Sequence, residues 1–142
     1  MTGQLLCFDF GLTSIGVATG QTGMGIASPL PELKAKEGSP DWSAVGALIF
    51  EWQAKRLLIG LPLNMDGSES KLSARARKFA NRLNGRFDLP IEMVDERLTS
   101  HSAKEETSNL GHKGDYKKKP IDSVAACLIL EQYFNHQNLS ND

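Results

Sequence analysis

The chain has 142 residues, 40% of them hydrophobic and 23% charged, which suits one soluble domain with a single well-filled core. No apolar run approaches a bilayer span and the N-terminus lacks a signal-peptide pattern, so a membrane protein is excluded and the expected compartment is the cytoplasm. The net charge of −1 excludes a generally basic protein but hides a positive middle: residues 55–86 carry eight Lys/Arg against Asp66 and Glu69.

Residues 5–10 read as a buried strand, 11–13 as a tight turn and 14–19 as a second strand, together a hairpin. A third strand is expected over 26–30, with Pro29 and Pro31 holding it to a sheet edge. Ser39-Pro40-Asp41 predicts a helix start, with serine as N-cap and proline first in the helix. Trp42, Val45, Ile49 and Trp52 then recur at helical spacing, with Leu48 beside them.

A short buried strand is predicted over 56–60, followed by the loop "LPLNMDGSES". A second amphipathic helix is predicted over 70–83, ended by Asn84-Gly85. Residues 91–95 read as a strand and 102–110 as a short helix. The loop "GHKGDYKKK" is basic, and Pro120 opens a last, mostly buried helix over 121–134. The expectation is one domain over 1–136 with a flexible polar tail at 137–142. A hairpin followed by alternating helices and strands implies an α/β fold, a mixed sheet with helices on both faces. The right-handed crossover rule sets the later strands parallel to the first, so their C-terminal ends meet at one edge.

Asp9-Phe10-Gly11 matches the D-F-G of protein kinases, but only eight residues precede it and no H-R-D follows. The carboxylate in an apolar strand needs another explanation, because an unpaired buried charge is costly. Asp9 is near the end of the first strand, Asp95 and Glu96 close the last, and Asp122 lies in the first turn of the final helix. Each has a structural alternative: a turn cap for Asp9, a favourable helix dipole for Asp122, a surface pair with Arg97 for Glu96. Their convergence at one edge points instead to a shared divalent cation. Mg2+, or Mn2+ in its place, suits oxygen ligands, whereas the three histidines show no zinc-like spacing with Cys7 and Cys127. Period-two alternation sends Asp95 and Glu96 to opposite faces and leaves open which is the ligand.

Residues 71–86 hold Lys71, Arg75, Arg77, Lys78, Arg82 and Arg86 with no acid among them. Lys113 and Lys117, Lys118 and Lys119 form a second cluster before Asp122. A helix face of one charge sign forgoes stabilising mixed pairs, which favours contact with nucleic-acid phosphates over a merely solvated face.

The blocks "FDFGLTSIGVATG", "LIGLPLNMDGSES", "VDERLTSHSA" and "KKKPIDSVAACLILEQYF" resemble, in order and spacing, the four signature blocks of the YqgF/RuvX family, the pre-16S rRNA nucleases once regarded as Holliday junction resolvases. The resemblance covers nearly the whole chain and implies an RNase H-like fold, a five-stranded mixed sheet with its first three strands antiparallel. It implies Asp9, Glu96 and Asp122 as catalytic metal ligands, preferring Glu96 to Asp95. It also sets Asn64 at the site, with Arg97 and the basic residues as nucleic-acid contacts. One departure is Thr13-Ser14, where the family often has Lys-Arg.

The expected activity is a Mg2+-dependent endonuclease on the 5′ end of precursor 16S rRNA, with the pre-30S particle as a partner. The rivals are a Holliday junction resolvase on branched four-way DNA and a non-catalytic nucleic-acid-binding module. An actin-like ATPase, whose phosphate loop also reads D-x-G-x-T, would need a second domain for which the chain has no room.

Overall fold

The computed structural model describes residues 4–21, 25–96 and 121–141, with the side chains of the last helix described over 123–135. The predicted helix at 102–110, the basic loop with Lys113, Lys117, Lys118 and Lys119, Arg97 and the Asp122 side chain all lie outside the described residues.

Six strands form one sheet: β1 (Gln4–Asp9), β2 (Ser14–Gln21), β3 (Ala27–Lys36), β4 (Ser39–Pro40), β5 (Ala54–Leu61) and β6 (Ile91–Asp95). Their order is β4-β3-β2-β1-β5-β6. β1 pairs antiparallel with β2 and parallel with β5, and β6 continues parallel to β5. The C-terminal ends of β1, β5 and β6 therefore share one edge, as the crossover rule requires. The helices are α1 (Trp42–Trp52), α2 (Lys71–Phe87) and α3 (Ile121–Asn141).

Side-chain alternation along the strands builds a core on each face. Leu6 and Phe8 of β1 and Leu57 and Ile59 of β5 pack with Val45 of α1 and Phe79 and Leu83 of α2. Leu5, Cys7, Ala18 and Leu58 pack on the other face with Ala126, Ile129, Leu130 and Phe134 of α3.

Most boundaries shift by one or two residues from the predicted ones, and four depart in ways that have a physical cause or a larger extent. Ser39-Pro40 is not the start of α1 but a two-residue sixth strand paired with Ala35 and Lys36. Glu37 and Gly38 make the connecting turn with φ of 52° and 83°, and such a two-residue turn with both φ positive suits the twist of a hairpin. The N-cap is Asp41, whose carboxylate accepts from Ser43 N–H at 3.0 Å. β3 extends to Lys36 despite its prolines, because β4 covers only its last two residues and the rest is an edge. Asn84-Gly85 does not end α2; the apolar stripe continues to Phe87, which packs on the core, and Asp88 closes the helix at φ 53°. α3 runs past its expected end at 134 to Asn141.

Candidate active site

Three strand ends define the edge. Asp9 ends β1 in phase with Leu5 and Cys7, so its half-buried side chain is on the α3 face of the sheet. Phe8 pairs with Ile59, which brings Gly60 of β5 beside Asp9, and Gly60 in turn pairs with Val94 of β6.

Glu96 follows β6 and is anchored by its backbone N–H, which donates to Leu61 O at 3.1 Å. Its side chain folds back across β5. A Cβ built on Gly60 would lie 2.7 Å from Glu96 Oε1, 2.9 Å from its Cγ and 2.8 Å from Ile129 Cδ1. Glycine is thus what allows this carboxylate to lie between the sheet and α3. Val94 belongs to the α3-side core and Met93 to the other, so Asp95 alternates away from Asp9. Of the two acids that the sequence left open, Glu96 shares the face of Asp9.

Cys7 lies on the same face and is fully buried. Its thiol is pushed well above its ordinary value, first by burial, then by the negative charges of Asp9 and Glu96. The donors around it are carboxylate oxygens beside a thiol held protonated, a set that fits Mg2+ or Mn2+ rather than a soft metal. Among the described residues, no group of three or more His, Cys, Asp or Glu is arranged to hold a metal. The third predicted acid lies on α3, and its side chain is outside the described residues. Asp122 belongs to its first turn, next to Ser123, whose buried hydroxyl donates to Leu30 O of β3 at 2.7 Å. Ala126 has no exposure and lets the helix lie close to the sheet.

The loop after β5 is held by its own polar groups. Asn64 Nδ2 donates to Ser68 Oγ at 3.0 Å and to Glu69 O at 3.2 Å, so this predicted nucleic-acid contact also builds the loop. Ser70 caps α2 in a reciprocal pair with Ser73 and donates its hydroxyl to Pro62 O at 2.6 Å.

The cations of α2 are not equivalent, and they lie across the sheet from Asp9 and Glu96. Arg77 makes a two-pronged pair with Glu69, at 3.0 Å from Nε and 2.9 Å from Nη2. That acid lies just outside the all-basic run that the sequence singled out. Arg86 stacks over the Trp42 ring at 4.4 Å. Arg75, Lys78 and Arg82 line a common cavity, while Lys71 is exposed in the first turn.

Gly60 and Ser123 are residues to which sequence reasoning gave no role of their own, Gly60 being noted only as the start of the block that runs to Asn64 at this edge. A glycine closing an apolar strand, one block before the Asn64 loop, is the signal that would have marked the first; nothing in the pattern marks the second.

Residues 3–136 match the family model described as "RuvX: Holliday junction resolvase". A protein of Actinobacillus pleuropneumoniae serotype 5b, named "Putative pre-16S rRNA nuclease", is 55% identical over 137 residues, covering 96% of this chain and all of that one. One of the same name from Escherichia coli O157:H7 is 52% identical, covering 94% and 97%. Among solved structures, Thermus thermophilus RuvC in complex with a Holliday junction substrate superposes with a TM-score of 0.59 at 14% identity, covering 94% of this chain and 95% of that one. Another T. thermophilus RuvC structure gives 0.53 at 16% identity. These likenesses establish the RNase H-like fold, with the short β4 as a sixth strand beyond the expected five.

Proposed function

The chain belongs to the RuvX family, and on that premise we propose that it is a cytoplasmic, metal-dependent endonuclease that trims the 5′ end of precursor 16S rRNA, acting on the pre-30S particle. The observation that carries this reading is the placement of Asp9 and Glu96 on the same face of the sheet edge, where both bear on Cys7, with Gly60 leaving room for the second carboxylate.

Asp9, Glu96 and Asp122 would hold Mg2+ or Mn2+, which supplies charge neutralisation at the scissile phosphate and an activated water. Asp9 belongs to β1, Glu96 follows β6 and Asp122 belongs to the first turn of α3, so three separate elements would each contribute one ligand. Lys71, Arg75, Lys78 and Arg82 of α2 contact the backbone of the substrate without reading its sequence. Arg77, being committed to Glu69, is the least available of the set. Arg97 and Lys117, Lys118 and Lys119 would add contacts from the segment between β6 and α3.

The name of the family model favours a second reading, resolution of four-way DNA junctions by the same acids. The deciding experiment is mapping of 5′ ends on purified precursor particles with wild-type protein and Asp9→Asn. The wild type should mature the 16S end and the variant should not. Equal maturation by both would overturn the assignment of Asp9. Cleavage of four-way DNA with untouched precursor particles would establish the second reading.

A further inference from the structure

One feature of α2 is not needed to explain the fold. Arg75, Lys78 and Arg82 follow one another at three- and four-residue steps, so they share a helix face. With the Glu37–Gly38 turn opposite, they enclose a cavity of about 220 Å³. Phe10 and Phe79 form its floor, with ring centroids 5.3 Å apart. The opposing turn is held in place. Gly38 N–H donates to Leu12 O at 2.8 Å, and a Cβ there would press on Phe10 Cζ at 2.8 Å.

Three cations meet one acid at this cavity, Glu37, and Arg75 reaches only its backbone oxygen, at 3.5 Å. Among the described residues, no carboxylate forms an ion pair with Arg75, Lys78 or Arg82. Like charges grouped without counter-ions repel one another, so an anion is the species that this arrangement lacks. The floor is aromatic but almost wholly buried, with Phe10 at 6% and Phe79 at 2% exposure, so it offers little surface for a base to stack on. The chemistry fits a phosphate rather than a nucleobase.

Phe10 directly follows Asp9, and successive side chains of a strand point to opposite faces. The cavity and the two carboxylates therefore lie back to back around the end of β1, where Phe10 and Asp9 are about 3.8 Å apart at Cα. We propose that the Arg75–Lys78–Arg82 cavity seats a backbone phosphate of the substrate strand some nucleotides away from the cut, so that the strand bends around the end of β1 and touches both faces of the sheet. This deepens the nuclease reading and rests on it for the position of the cut.

The test is binding of single-stranded RNA by fluorescence anisotropy in EDTA, with strands of about 16 and about 4 nucleotides. Arg75→Gln and Arg82→Gln should each weaken the long strand about tenfold and flatten its dependence of log affinity on log salt by roughly 0.7. Both should leave the short strand's affinity as in the wild type. Lys55→Gln removes an exposed charge at the far end of β5 and should change neither strand.

Unchanged long-strand affinity in both arginine variants would overturn the proposal, as would equal weakening of the two strands. Binding of inorganic phosphate or ATP that Arg82→Gln abolishes, with RNA affinity intact, would mark a free-anion site and overturn the strand assignment. Because no cleavage is measured, wild-type protein that binds RNA as expected but never cuts it would refute the nuclease reading and not this seat.

Discussion

Gly60 and Glu96 are mutually exclusive with any side chain on the former: a Cβ would stand 2.7 Å from the carboxylate oxygen. Gly60→Ala should therefore displace Glu96 by a distance on the order of 1 Å and lower the cleavage rate about 10²-fold. The same methyl would meet Ile129, adding an overpacking cost of about 1–3 kcal/mol. Cleavage kinetics beside urea melts separate the two effects. A destabilised variant that still cuts at the wild-type rate would show that the position of Glu96 is not rate-determining.

Gly85 lies inside α2, exposed, with nothing within 4 Å of an added Cβ and no positive φ. Gly85→Ala should stabilise the protein by about 0.5–1 kcal/mol through helix propensity and a less flexible unfolded chain. Thermal unfolding at neutral pH would register it as a rise of a few degrees. A fall would mean that α2 ends earlier in solution.

Arg77 holds the Glu69 carboxyl below its ordinary value of 4.5, with a smaller contribution from Ser73. A lowered carboxylate pKa stabilises the fold above the unfolded value and loses that contribution as pH falls through the folded one. Glu69→Gln should thus melt below wild type at neutral pH, and the gap should narrow as pH falls below 4.5 and through the lowered value of the folded state. The pair is exposed, so the gap should also shrink in high salt.

Cys7 is fully buried and its thiol is held protonated by burial and by Asp9 and Glu96. N-ethylmaleimide should leave it unmodified in the native protein near pH 8 and label it in urea, since only the thiolate attacks. Peptide mass spectrometry reads both states. Rapid native labelling would mean that this face of the sheet opens readily.

Legibility in the sequence followed the range of the interactions. β6 keeps its predicted bounds, and the helical stripe of Trp42, Val45 and Ile49 does form α1, because hydrophobic periodicity is a local signal. Ser39-Pro40 misled because a strong cap signal competed with a hairpin turn, and pairing with β3 won. Asn84-Gly85 misled because packing of Phe87 outweighs the local preference of a glycine. At the site, alternation could state that Asp95 and Glu96 diverge but not which one joins Asp9. That depends on the register of β6 against β5 and on the space above Gly60, both tertiary facts. The separation of α2's cations from the acids by the thickness of the sheet was likewise beyond any one-dimensional pattern.

The bond from Ser123 to Leu30 ties the root of α3 to a proline-bearing outer strand rather than to the strands that end in the other two acids. The backbone at the start of α3 is thereby moored to the sheet's periphery. Ser123→Ala would cut that tether while leaving each of the three proposed ligands in place, so it asks whether the proposed metal site depends on how α3 is seated against β3.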